Sequence, residues 1–285
     1  MDIKTLYEEP PWDWPEDAAR TIGQTLLNSR ADEQERLMAA ELAGNLVAIN
    51  DDLAGVLLST IANPADPEPV RAKAAISLGP VLEQGSITEF DDPEDVPIPQ
   101  ETFERIQQTL ETLYADESFP KEVRRRILEA SVRDPRDWHN PAILSAYNSG
   151  DRDWILSAVF SMGCVRGFDK QIIESLSSSD PEIHFEAVDA AGTWEIDQAY
   201  PHVLALVNNP KTPKPLIFAA IEAVAAIRPD DAPQVLDDLL DSADEELREV
   251  AQDAISMATG VEVDDDWGDE DEEDEEEGGS KDWVN

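Results

Sequence analysis

Covalent and metal chemistry have little to work with in this sequence. It holds a single cysteine, Cys164, and three histidines in 285 residues. One cysteine excludes an internal disulfide framework and fits a reducing compartment. Near the end of an amphipathic segment it reads as a small apolar residue rather than a nucleophile. His139, His184 and His202 are scattered, and no His, Cys and carboxylate set has a metal-ligand spacing. A Gly-rich phosphate loop and a nucleophile elbow are both missing. Carboxylates are too abundant for any pair to be singled out as a general acid. No apolar run reaches the roughly 18 residues needed to cross a bilayer. Met1 to Pro10 lacks the basic stretch and apolar run of a secretory leader, which predicts a cytoplasmic protein. Basic residues are the other scarcity: 21 stand against 64 acidic ones, a net charge of -43. That balance argues against a nucleic acid or an anionic membrane as partner. The expectation is a non-enzymatic chain with no metal, no cofactor and no catalytic residue.

What the sequence does have is a ten-residue phrase that returns seven times, clearest as Val70-Arg71-Ala72-Lys73-Ala74-Ala75-Ile76-Ser77-Leu78-Gly79. Its anchors are Glu35, Val70, Val123, Trp154, Ile183, Leu216 and Leu247, spaced by 35, 53, 31, 29, 33 and 31 residues. A period near thirty marks a solenoid, whose units bury their apolar faces against their neighbours. Four positions after the anchors stand Ala39, Ala74, Ile127, Ala158, Ala187, Ala220 and Ala251, mostly small residues where helices approach closely. Pairs such as Ala43-Gly44, Leu78-Gly79, Met162-Gly163 and Ala191-Gly192 follow, an apolar contact and then a residue suited to ending or tightly packing a helix. The pattern predicts helices at 32-49, 67-84, 119-133, 151-165, 180-194, 213-228 and 243-259. Each is preceded by another amphipathic segment, such as Asp52 to Ile61, so each unit is a helical hairpin. Asp66-Pro67-Glu68 and Asp180-Pro181-Glu182 read as helix starts, with a capping acid, proline and an acid in the first turn.

The phrase Asp-Pro-x-Pro-Val-Arg-x-x-Ala-Ala-x-x-Leu-Gly, present at Asp66 to Gly79 and echoed at Asp180 to Gly192 and Asp244 to Ser256, resembles the HEAT repeat, in particular the short bacterial type related to phycobilisome-lyase repeats. The resemblance spans about residues 15-260 and implies an all-α, right-handed α-solenoid of seven hairpins, with the second helices lining its concave surface. It implies a protein-binding scaffold far more than an enzyme. The units anchored at Trp154, Ile183 and Leu216 depart from it in lacking the arginine after the anchor, and the unit at Val123 lacks both alanine and glycine.

Three segments lie outside the repeat. Residues 1-14 form a Trp- and Pro-rich segment in which Trp12 and Trp14 are expected to cap the apolar end of the array. The wide 53-residue spacing is explained by residues 85-100, acidic and punctuated by Pro93, Pro97 and Pro99, which read as an insertion loop. Residues 261-285 carry a run of acids with little to bury and are expected to be a disordered tail, with Trp267 and Trp283 as aromatic docking anchors. Without residues 262-285 the chain still has 50 acidic against 20 basic residues, a net -30. Such acidity fits either a surface adapted to a saline cytoplasm or a face made for a basic partner.

Two rows run along the array. Arg36, Arg71, Arg124 and Arg248 follow their anchors, and the resemblance implies a structural ladder to aspartates of the inter-helix turns, with Asp66 and Asp244 nearby. Six positions after the anchors stand Glu41, Ile76, Glu129, Phe160, Asp189, Glu222 and Asp253, five of the seven acidic. This row is expected to face outward as the stripe that binds a basic or amphipathic protein, with Phe160 as an aromatic contact. The functional expectation is a monomeric scaffold or adaptor. The alternative, drawn from the resemblance alone, is a lyase or chaperone-like subunit acting on a tetrapyrrole-bearing protein.

Overall fold

The computed structural model describes residues 1-88, 90 and 96-260. It opens on α1 (Ile3–Glu8) and continues as seven helical hairpins. These are α2 (Ala18–Leu27) with α3 (Glu33–Leu42), and α4 (Asp51–Ala62) with α5 (Glu68–Ile76). An extra helix, α6 (Gly79–Thr88), precedes the third hairpin, α7 (Gln100–Ala115) with α8 (Lys121–Ser131). Then come α9 (His139–Tyr147) with α10 (Arg152–Cys164), α11 (Asp169–Ser175) with α12 (Pro181–Thr193), α13 (Tyr200–Val207) with α14 (Lys214–Ile227), and α15 (Ala232–Leu240) with α16 (Glu245–Thr259). The second helices stack in an unbroken series, α3 on α5, α5 on α8, then α10, α12, α14 and α16. The chain is an all-α solenoid.

Local chemistry sets the helix boundaries. The side chains of Asp32, Asn50, Asp151 and Asp180 each accept backbone N–H bonds from the first turn of the helix that follows, filling donors that have no partner inside the helix. Pro67, Pro120 and Pro213 stand in the same place for α5, α8 and α14 with extended backbone. The seven residues four positions after the anchors, Ala39 through Ala251, are all 0% exposed, and this fully buried row is the contact surface between successive second helices. Gly44 shows how close the contact is: a Cβ there would meet the Ser77 carbonyl oxygen at 2.4 Å.

One expected helix is two. The span 67-84 divides into α5 and α6 because Pro80 has no N–H for the carbonyl of Ile76, so the helix ends there and restarts. The described residues of the expected insertion loop at 85-100 are likewise more anchored than a loop. They are helical through Thr88, Val96 and Ile98 are buried, and Phe90 packs edge-on against Phe103 with ring centroids 5.1 Å apart. At the N-terminus the end of the array is covered mainly by Ile3 and Leu6 of α1, which are buried against α2 and α3. Trp14 joins them and donates its indole N–H to the Glu9 carbonyl at 2.9 Å, whereas Trp12 is 81% exposed and caps nothing.

The apolar core runs in two parts that meet inside α8, between Ile127 and Leu128. At this junction the packing is polar: buried Arg125 donates from Nε to Ser157 Oγ at 2.9 Å, and Ser157 donates to Glu129 Oε1 at 2.6 Å. A second set of contacts ties units together along their outer edge. Lys121 meets Asp151 and Asp153, Arg152 meets Asp180 and Glu182, and Lys214 meets Asp244 and Glu246. In each, the first residue of one second helix reaches the capping acid and first-turn acid of the next.

Candidate functional site

The arginine row bonds backbone carbonyls, with a geometry that differs in part from the expectation. Arg36 is 4% exposed; its Nε donates to the Leu26 carbonyl at 2.9 Å and its Nη2 to Asp66 Oδ1 at 2.7 Å. Arg71 and Arg124 repeat the carbonyl bond, to Ile61 and Tyr114, each at 2.9 Å. Arg71 then stacks on Phe119, and Arg124 on Tyr114 and Trp154, instead of pairing with an aspartate. Arg248 donates to the Ser242 carbonyl at 2.7 Å, while Asp244, its expected partner, belongs to Lys214. Each of these guanidinium groups thus satisfies a carbonyl at the end of, or just beyond, the preceding first helix, where intrahelical donors run out.

The acidic row does not act as one surface. Glu129, expected to point outward, is buried: it takes Ser157 Oγ–H on one oxygen and Arg126 Nη1 at 2.7 Å on the other. Its charge is consumed by the junction in α8, because that unit carries three successive arginines, Arg124, Arg125 and Arg126, and two of them turn toward it. Glu41 sits far along the array and pairs with Lys73 at 3.2 Å. Asp189, Glu222 and Asp253 are exposed. Trp267 and Trp283 lie outside the described residues.

Phe160 is where the row meets a concavity. A groove of about 640 Å³ opens on the second-helix face, within the roughly 300–1,000 Å³ typical of ligand clefts. Leu156, Phe160, Phe185 and Leu216 line it, with Ile76 at one side and Pro181, Pro213 and Pro215 at the starts of α12 and α14. Arg126 and Glu129 of α8, with Arg133 just beyond that helix, line it as well, as do Glu182 and Glu186 of α12. Leu156 and Phe185 escaped the reading of the sequence, although a signal was there. Leu156 stands four residues before Phe160, so the two share one helical face, and the row two positions after the anchors is apolar in five of seven units: Leu37, Ala72, Leu156, Phe185 and Phe218.

The charges around the groove are mostly spent on one another. Arg126 is held by Glu122 and Glu129, Arg133 by Glu83 while it lies over the Phe160 ring, and Glu182 by Arg152. Glu186 has no hydrogen-bond or ion-pair partner among the described residues. Desolvation raises its carboxyl to about 7, and the nearby charges of Asp189, Glu129 and Glu182 add to the effect. Desolvation also pushes up Asp189, and together with the charge of Asp189 it pushes up Glu222 on the adjacent helix.

Groups suited to acid-base or nucleophilic work are held elsewhere. His139 is 1% exposed, accepts the Arg136 backbone N–H on Nδ1 at 2.8 Å and faces Ser131 Oγ with Nε2 at 3.0 Å; burial lowers it to about 4. His184 and His202 face each other with Nε2 atoms 2.8 Å apart, and desolvation lowers both. Burial drives the Cys164 thiol up to about 11. Among the described residues no group of three or more His, Cys, Asp or Glu is arranged to hold a metal, and no helix is long and apolar enough to cross a membrane.

Part of the chain matches a known repeat family, and solved structures share its general construction. Solved structures with related folds include YibA of Escherichia coli (13% identity, 90% of this chain and 97% of that one, TM-score 0.48). Human deoxyhypusine hydroxylase in complex with glycerol is another (16% identity, 90% and 98% coverage, TM-score 0.38). The complex of CpcE and CpcF of phycocyanin lyase from Nostoc sp. is a third (14% identity, 88% and 98% coverage, TM-score 0.41). At these identities and scores none of the three carries an argument about activity or partner. No curated protein matches the sequence. Residues 170-256 match the family of HEAT repeats, and the same stacked-hairpin construction runs from α2 to α16.

Proposed function

We propose that this protein is a non-catalytic, cytoplasmic and monomeric scaffold that receives a basic or amphipathic segment of another protein in the groove between α8 and α14. The observation that carries the reading is the groove itself, in which Leu156, Phe160, Phe185 and Leu216 lie beside the Glu186 carboxyl, which has no partner among the described residues, on stacked helices. Preformed apolar anchoring sites with charge beside them suit helix-in-groove recognition, and the acidic surroundings speed encounter with a basic partner in a salt-sensitive way. HEAT repeats commonly mediate protein interactions. The engaged imidazoles and the high-pKa thiol support binding rather than chemistry.

The test uses the full chain and a fluorescein-labelled peptide of leucine and lysine at helical amphipathic spacing. Hydrogen exchange should slow in α10, α12 and α14 on binding, and Phe160→Ala or Phe185→Ala should weaken affinity by about tenfold or more, as truncation of a buried aromatic anchor does. Undiminished affinity in both variants, protection elsewhere on the array, or loss of binding on truncation after Val261 would overturn the groove as the docking site. So would a preparation that takes up a free tetrapyrrole and no peptide.

A further inference from the structure

We infer that Glu186 determines what the groove accepts: a segment whose apolar side chains fill the space between Phe160, Phe185 and Leu216 and which places one lysine or arginine against Glu186 and Asp189. The inference rests on the protein-binding reading above. It follows from which charges the groove has left to offer.

Of the five charged residues that line the groove, four already have partners. Arg126 lies between Glu122 and Glu129, Glu129 is further held by Ser157, Arg133 is held by Glu83, and Glu182 by Arg152. The buried Arg133 Nε lacks a hydrogen-bond partner, but the charge of that guanidinium is balanced by Glu83 and the charge of Arg126 by Glu122 and Glu129. The one left is Glu186, a half-buried carboxyl with no partner among the described residues, beside the apolar lining formed by Leu156 and Phe185. Three residues on along α12, Asp189 shares its helical face at about 5–6 Å between Cβ atoms, and it too has no partner among the described residues. The charged and titratable groups around the pair come from every neighbouring element: Glu83 on α6, Arg126 and Glu129 on α8, Arg133 just after α8, Cys164 on α10, Glu182 on α12 itself and Glu222 on α14. Carboxylates outnumber arginines in that set, and the arginines are paired. A cation seated between Glu186 and Asp189 offsets both the cost of holding the half-buried Glu186 charged and the repulsion from Asp189, whereas a neutral guest leaves both.

The geometry also gives the sign of a pH effect. In the empty groove Glu186 holds its proton up to about pH 7, and a guest cation favours the charged form. Binding a cationic guest therefore expels that proton, and affinity rises as pH goes from 6 to 8. A neutral guest gains nothing from ionisation, and its affinity stays flat or falls over the same range.

The experiment is a selection of helical peptides from a displayed library on the full chain, followed by titration of one recovered peptide and of its Lys→norleucine or Arg→norleucine version. Recovered peptides should share apolar spacing and a cation at one fixed position. Glu186→Gln should weaken the cationic peptide by about tenfold or more, leave the norleucine peptide unchanged and abolish the rise in affinity with pH. Glu186→Gln should also be folded and more stable than the parent above pH 7. Its raised carboxyl contributes stability below about pH 4.5 that is lost as pH climbs through 7, so removing it costs nothing there. Peptides that lose affinity with Phe160→Ala yet carry no fixed cation, or equal effects of Glu186→Gln on both peptides, overturn this inference and leave the groove standing. Peptides indifferent to both Phe160→Ala and Glu186→Gln overturn the groove reading itself.

Discussion

Replacing Arg36 by methionine should unlock the N-terminal quarter of the array and little else. Arg36 keeps its side chain at 5% exposure while bonding the Leu26 carbonyl and Asp66, whose own side chain is 11% exposed. Methionine fills similar space but leaves the carbonyl and the aspartate without their donor. Removing one partner of a buried pair costs about 3–5 kcal/mol. The lower end applies here, because Asn63 still donates to the other Asp66 oxygen at 3.0 Å. At 1.4 kcal/mol per tenfold, about 3 kcal/mol raises opening of the local unit by roughly a hundredfold. In a solenoid each unit contacts only its neighbours, so the loss stays local. Hydrogen exchange should accelerate by about that factor in α2 to α5 and stay unchanged in α12 to α16. Adding Asp66→Asn should recover part of the loss, since no unpaired charge remains. Arg152→Met serves as the control: its bonds to Asp180 and Glu182 are solvent-exposed and screened, so exchange should hardly move. An Arg36→Met effect below threefold, one spread evenly along the chain, or one matched by Arg152→Met would refute the reasoning.

Two further outcomes follow from packing and burial. A Cβ at Gly192 would lie 3.0 Å from Ala223 Cα, whereas one at Gly163, in the same repeat position, would find Ala190 no nearer than 3.8 Å. Gly192→Ala should cost about 1–3 kcal/mol by overpacking α12 against α14, and Gly163→Ala should be neutral or stabilising, both measured by urea unfolding. His139 stays neutral down to about pH 4 when folded, whereas the unfolded imidazole protonates near 6.5. Its contribution is unchanged above pH 6.5 and turns against folding as pH falls toward 4, by about 3 kcal/mol at most. His139→Asn should therefore flatten the loss of melting temperature between pH 7 and 4.5 relative to the parent. A parallel slope in the two proteins would show that His139 does not set it.

Much of the fold was legible because helical hairpins are specified locally and repeat. The small residue four positions after each anchor is buried in all seven units because the second helices must meet there, and period alone reveals it. Asp32, Asp151 and Asp180 cap helices where an acid before a first turn predicts. The break at Pro80 was equally written in the chain, since a proline cannot continue the ladder of the helix before it.

The site was less legible, because exposure and pairing depend on neighbours some thirty residues away. Glu129 and Asp189 occupy the same repeat position, yet one is buried under Arg126 and Ser157 while the other faces solvent. The three arginines within the Val123 phrase hint at the difference, but Ser157 of α10, which completes the burial, stands 28 residues away. Phe160 belonged to the expected row, but its companions Leu156, Phe185 and Leu216 become one surface only when three helices stack. Periodic apolar spacing, caps and prolines are short-range effects, and the sequence by itself therefore determined the hairpins, their number and their contact row. Which carboxylates stay unpaired is a long-range outcome of packing, and only the tertiary structure decided that Glu186 is left without a partner among the described residues, beside an apolar groove.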